Sequence, residues 1–149
     1  AEESALKALC IRCGNCVRTC PTGIIQPSTS ASDPAGLLTP TVCFDKGSCR
    51  DTCNECGQNC PTGAIAALSV EEKNRKPIGL AGIDQRACFL TAGRECRSCV
   101  LTCTRKAIIE DFSPKTYSVT LRVDEGACTG CGACLHVCPA GAITVSGRA

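Results

Sequence analysis

Apolar and polar positions along this chain follow a regular period only in short stretches. The clearest lies late, where Tyr117, Val119, Leu121 and Val123 alternate with Ser118, Thr120, Arg122 and Asp124. That alternation predicts a half-buried strand. Ser113-Pro114-Lys115-Thr116 supplies a turn before it, and Ala142-Ile143-Thr144-Val145 predicts a further short strand. A helix is predicted from Ala64 to Lys73, stopped ahead of Pro77. Val17-Arg18-Thr19 and Leu135-His136-Val137 fit single helical turns. Residues 26–42 are rich in Pro, Ser, Thr and Ala and read as a surface connection. No run of about 18 apolar residues occurs, so no segment is expected to span a membrane. The pattern predicts a small, loop-rich α+β structure.

Composition changes this picture. Of 149 residues, 17 are cysteine, and there is no Trp or Met, one Tyr and three Phe. The apolar fraction is 44%, but cysteines supply about a quarter of it and Ala much of the rest. A core of ordinary side chains would be thin at this length. Groups bound through cysteine thiolates would supply what is missing, because metal-binding free energy becomes folding free energy. The formal charge is +2, and no basic run suggests nucleic acid. The chain starts at Ala1 and holds no Met, which reads as a processed product or a fragment of something longer.

The cysteines fall into four repeats. Motif one is Cys10, Cys13, Cys16, Cys20, and motif four is Cys128, Cys131, Cys134, Cys138. Both have the C-x2-C-x2-C-x3-C-P spacing of bacterial cluster-binding runs. Motif two, Cys49, Cys53, Cys56, Cys60, has a first gap one residue longer; motif three, Cys88, Cys96, Cys99, Cys103, has seven residues there. Each motif ends in a similar tag: Cys20-Pro21-Thr22-Gly23, Cys60-Pro61-Thr62-Gly63, Cys103-Thr104-Arg105-Lys106 and Cys138-Pro139-Ala140-Gly141. Three cysteines so spaced converge from one loop on three corners of a compact metal core. These sixteen cysteines are the candidate ligands of four [4Fe–4S] clusters. Each oxidised cluster with its four thiolates carries about −2, which would bring the formal charge to about −6.

In such runs the fourth cysteine serves the neighbouring cluster, so the motifs must work in pairs, and three pairings are open. Matching like with like joins motifs one and four, and two and three. The expected quartets are then Cys10, Cys13, Cys16 with Cys138; Cys128, Cys131, Cys134 with Cys20; Cys49, Cys53, Cys56 with Cys103; and Cys88, Cys96, Cys99 with Cys60. The expected domains are an outer module of residues 1–42 and 112–149 and an inserted module of residues 43–111.

Cys10-Ile11-Arg12-Cys13-Gly14-Asn15-Cys16 and Cys128-Thr129-Gly130-Cys131-Gly132-Ala133-Cys134 resemble the first and last motifs of four-cluster ferredoxin-type proteins. Those proteins accompany periplasmic nitrate reductase and methylamine dehydrogenase systems. The stretched Cys88–Cys103 motif is similar to the family's third, while Cys49-Arg50-Asp51-Thr52-Cys53-Asn54-Glu55-Cys56 looks more like related membrane-linked polyferredoxins. The resemblance implies paired ferredoxin-like modules, and the like-with-like pairing makes them two bacterial two-cluster modules, one inserted in the other. It also implies electron transfer and export on a twin-arginine signal that is then removed. Expected partners are redox proteins: a quinol-oxidising membrane subunit, a cytochrome or a molybdenum enzyme, with self-association as a further option. A periplasmic or cell-surface location is expected, with the cytoplasm as the alternative. Thr104 in place of Pro and the extra Cys43 depart from the family pattern.

Other readings are weaker. Four-cysteine zinc sites also use C-x2-C pairs, but zinc does not explain three close cysteines followed by Cys-Pro, repeated. A disulfide framework handles an odd count poorly and would need awkward bridges. Cys43 reads as a buried free thiol, or else as a substitute for Cys49 in motif two. His136, the one histidine, sits between ligands and is expected to face outward. Tyr117 reads as strand packing, and Gly23, Gly63 and Gly141 as turn formers. No base is available for a nucleophile and no dinucleotide fingerprint is present, so the expectation is an electron carrier and not an enzyme. The cluster-bearing part of a larger oxidoreductase is the alternative.

Overall fold

The computed structural model describes residues 3–147 and divides into two compact units, one ending at Arg75 and the other beginning at Lys76. Unit 1 opens with helix α1 (Glu3–Leu9), and α2 (Asn15–Thr19) carries the end of motif one. The tag runs into strand β1 (Ile25–Pro27), which pairs antiparallel with β2 (Pro40–Val42), Ile25 opposite Val42 and Pro27 opposite Pro40. Proline cannot donate to a ladder, and beyond the Pro27–Pro40 pair Ser28 takes over, donating to the Thr39 carbonyl and accepting from Leu38, both at 2.8 Å. Motif two follows, ending on α3 (Glu55–Gln58), and the chain leaves through α4 (Val70–Arg75). Helix α2 packs on α3. The Asn15 amide donates to the Asn59 carbonyl at 3.3 Å, and the Asn59 amide to Thr19 Oγ1 at 3.3 Å.

Unit 2 repeats this order within a more complete frame. It begins with β3 (Leu80–Ile83); motif three ends on α5 (Ser98–Thr102), and β4 (Ile108–Ser113) turns into β5 (Ser118–Val123). Motif four ends on α6 (Ala133–His136), and β6 (Ile143–Ser146) returns to pair antiparallel with β3, Ile143 opposite Ile83. Ala81, Ile108, Leu121, Ala142 and Ile143 gather with Cys88, Cys99 and Cys134 into one buried cluster. Where unit 2 is framed by β3 and β6, unit 1 has α1 and α4.

The tags share one backbone path. In each, the third residue after the cysteine donates its N–H back to the cysteine carbonyl, from Gly23, Gly63, Lys106 and Gly141 at 3.0–3.4 Å. All four residues are left-handed, with φ of 65°, 69°, 51° and 61°. The turn then drops the next residue into the interior: Ile24, Ala64, Ala107 and Ala142 are each no more than 3% exposed. Small side chains behind the tags, and no completely buried large side chain among the described residues, make the interior as thin as the composition implied.

Several expectations are corrected. The nested modules give way to a division in chain order, motifs one and two in unit 1 and motifs three and four in unit 2. Similar spacing does not decide which motifs pair. A hairpin directly after each odd motif returns the chain to the next one, and closing a shorter loop costs less entropy. Residues 26–42 are not simply a connection: both ends form the β1–β2 hairpin, and Thr39 is buried with its hydroxyl on the Gly36 carbonyl at 2.6 Å. The predicted Ala64–Lys73 helix is confined to Val70–Arg75, because the tag turn occupies its start. Tyr117 lies in the turn before β5 with φ 49°, exposed and edge-on to Phe112 at 6.4 Å. The strand alternation beyond it, the β6 strand and the short helical turns appear as expected. No helix among the described residues is long and apolar enough to cross a membrane.

Lys106 is exposed and occupies a position that costs an L-residue about 1–2 kcal/mol. Replacing Lys106 with Gly is expected to raise unfolding stability by about 1 kcal/mol, measured by denaturant titration of the cluster-loaded protein. An unchanged or lower midpoint would contradict the tag-strain account.

Candidate metal centres

Each motif delivers three cysteines from one loop and a short helix. In motifs one and four, the glycine after the second cysteine is left-handed and starts the helix: Gly14 at φ 72° before α2, and Gly132 at φ 81° before α6. In the stretched motifs Asn54 and Arg97 hold that place at ordinary φ, which accounts for the missing glycine. The seven-residue gap of motif three folds on itself. Ala92 donates to the Cys88 carbonyl at 3.1 Å, Arg94 donates to that of Phe89 at 2.9 Å, and the Arg94 guanidinium lies 4.2 Å from the Phe89 ring centre. Gln85 ties the approach to motif three to β5, donating to the Leu121 carbonyl at 2.6 Å.

The fourth cysteine of each motif crosses to its neighbour in the same unit. Cys10, Cys13, Cys16 and Cys60 line one recess. Cys88, Cys96, Cys99 and Cys138 line a second, and Cys128, Cys131, Cys134 and Cys103 a third. Around motif two, burial pushes the Cys56 thiol up, and the charges of Cys53 and Cys20 add to it. Cys49 is raised in the same way, by burial first and then by Cys56 and Cys53, against the pull of the Lys73 ammonium. In the three recesses the fourth cysteine comes from the neighbouring motif of the same unit, which differs from the expected quartets.

Among the described residues, no group of three or more Cys, His, Asp or Glu closes around a single metal ion. Burial pushes the Cys134 thiol up to about 12, with the charges of Cys131, Cys128 and Cys103 adding to it, so a thiolate there needs a cationic group to stabilise it. Thr129 supplies an independent test of fit. Its Oγ1 is buried without a hydrogen-bond partner among the described residues, and Thr129 lines the motif-four recess. Such an orphan costs about 1–3 kcal/mol, and a cluster sulfur in that recess would accept its proton.

The tags also aim donors at sulfur. Backbone N–H groups reach Cys60 Sγ from Ile65 at 3.4 Å, Cys103 Sγ from Ala107 at 3.2 Å, and Cys138 Sγ from Ala142 at 3.3 Å. Burial raises the Cys20 and Cys60 thiols, but the Thr22 and Thr62 hydroxyls and the tag N–H groups outweigh it, and both end lowered. Donors of this kind stabilise bound thiolates and tune a cluster's potential. Only the Gly and Pro of the tags hinted at these contacts.

Cys43 is explained by the repeat. Its N–H donates to the Ile24 carbonyl at 2.7 Å, as Asp124 does to Ala107 at 2.7 Å and Asp84 to Ala142 at 2.8 Å. The three accepting residues hold the same tag position, so Cys43 stands where motifs three and four have an aspartate leading into the loop. It is half-buried. His136 is exposed on α6, as expected.

With the geometry in view, the comparisons with known proteins are decisive. A 4Fe–4S dicluster domain matches residues 9–64, spanning motifs one and two together, and a 4Fe–4S binding domain matches residues 121–144. The chain carries 4Fe–4S domains of the ferredoxin type. It is 32% identical to the methylamine utilization ferredoxin-type protein MauM of Methylobacillus flagellatus, over 91% of this chain and 60% of that protein. It is 33% identical to the ferredoxin-type protein NapG of Escherichia coli, over 92% of this chain and 62% of the relative. With the ferredoxin-type protein NapF of Escherichia coli it shares 29% over 96% of this chain and 79% of the relative. The chain thus spans about three fifths of MauM and NapG.

Serine variants test both the quartets and Cys43. Cys20→Ser and Cys49→Ser are expected to abolish the same EPR signal of the reduced protein, and Cys138→Ser and Cys88→Ser a different shared one. Cys43→Ser should retain the full iron content. Loss of one signal by Cys20→Ser and Cys128→Ser together would restore the nested pairing.

Proposed function

We propose that this ferredoxin-type chain is an electron relay with four [4Fe–4S] clusters, two in each unit, passing single electrons between redox proteins. The observation that supports the reading is that Cys60, Cys138 and Cys103 each line the recess of the neighbouring motif; with Cys20 given to motif two in the same way, sixteen cysteines would make four quartets and leave Cys43 over. Bound clusters supply reversible one-electron chemistry. The loops hold the thiolates, the tags point N–H groups at sulfur, and buried Ile24, Ala64, Ala107 and Ala142 keep the inner side dry. Around motif one the chain leaves Cys13 exposed, next to Ile11 and Leu38, also exposed. An accessible ligand loop suits entry or exit of electrons.

The partners are proposed to be a quinol-oxidising membrane subunit, a cytochrome or a molybdenum enzyme, in the periplasm or at the cell surface. This rests on the resemblance of the motifs and on the naming of one relative for methylamine utilization. Anaerobically purified protein is expected to hold about sixteen iron and about sixteen acid-labile sulfide per chain, with interacting signals in the EPR spectrum after reduction. About four zinc and no sulfide would overturn the proposal, and fewer than three interacting clusters would remove motifs two and three from it.

A further inference from the structure

Unit 1 and unit 2 part company after their last tag. In unit 2 the chain runs on as β6 and pairs with β3. In unit 1 it bends and forms α4 beside motif two. Three sets of contacts fix that helix. The Asn54 amide, between ligands Cys53 and Cys56, donates to the Leu68 carbonyl at 2.8 Å, and Gln58 on α3 donates to the same oxygen at 3.2 Å. Ser69 and Glu72 form a reciprocal cap, the Ser69 N–H on Glu72 Oε2 at 2.8 Å and the Glu72 N–H on Ser69 Oγ at 3.2 Å. Finally Lys73 Nζ donates to the Arg50 carbonyl at 2.6 Å. That oxygen also accepts the Cys53 N–H at 3.3 Å, and Cys49 Sγ lies 3.9 Å from it.

We propose that Lys73, delivered by α4, is a positioning residue that raises the reduction potential of the motif-two cluster. The inference rests on the four-cluster reading. Lys73 is half-buried, and its ammonium sits on the Arg50 carbonyl oxygen that Cys49 Sγ also approaches, which places a fixed positive charge beside that ligand. Its charge also reaches Cys56. Reduction adds a negative charge to a cage that already carries four thiolates. A fixed cation beside a ligand sulfur stabilises the reduced cage more than the oxidised one. The sulfurs of Cys60, Cys103 and Cys138 receive neutral backbone N–H groups, whereas Cys49 shares the Arg50 carbonyl with a full positive charge. The Lys73 ammonium therefore biases electrons toward motif two.

The test uses the full chain, loaded anaerobically, with iron and sulfide counted before EPR-monitored redox titration. In Lys73→Gln, the iron content is expected to match the parent and one cluster to titrate at a lower potential, the others staying in place. Lys73→Arg is expected to recover most of the shift. A parent-like titration in Lys73→Gln, an equal shift in Lys73→Arg, or loss of about four iron from Lys73→Gln would overturn the proposal, the last by making the lysine structural. A parent protein short of four clusters at the counting step would instead sink the four-cluster reading.

Discussion

Everything in this molecule depends on a thiolate given away. Each motif closes three cysteines on its own loop, and the fourth completes its neighbour's cage. Cys60 lines the motif-one recess beside Cys10, Cys13 and Cys16, and Cys20 lies near enough to Cys56 for its charge to act there. On the proposed exchange, neither cage in a unit closes without the other loop in place. The tag turn serves both sides of this exchange. It aims its cysteine across to the neighbour, and the residue behind it fills the interior.

The thin interior follows from the same constraint. Burial together with neighbouring charge raises the Cys134 thiol, and thiolates held together away from water are costly until a cationic group binds. With it bound, the cages become the core, and Ile24, Ala64, Ala107 and Ala142 need only seal their inner faces. The chain can then do without Trp and Met and keep three Phe.

The two units run one plan in different frames, and the frame decides what each loop tolerates. Gly130 and Arg12 hold the same slot and are both left-handed, at φ 69° and 57°. A Cβ on Gly130 would stand 2.4 Å from the Gly79 backbone, next to β3, so only glycine fits there. Unit 1 has no strand in that place, and Arg12 uses its freedom to donate to the Leu37 and Ala35 carbonyls at 2.8 and 2.9 Å. The same change of frame, a capped helix in place of a final strand, puts a lysine against motif two.

Spacing along the chain was enough to find the 4Fe–4S motifs, to foresee β5 and β6, and to place the short turns around Val17 and Leu135, because these follow from periods and gaps of a few residues. It was not enough to pair the motifs, since likeness of spacing carries no information about which loop lies beside which. Nor could it rank Cys43 against Cys49, place the Lys73 ammonium or reveal the Thr129 hydroxyl, because those depend on contacts between residues far apart in sequence. The local alphabet of Cys, Gly and Pro determined by itself that this chain builds cages for metal clusters. The tertiary structure alone decided which cysteines line a common recess and which charges lie beside them, because the β1–β2 and β4–β5 hairpins, not the motifs, bring one loop back to the next.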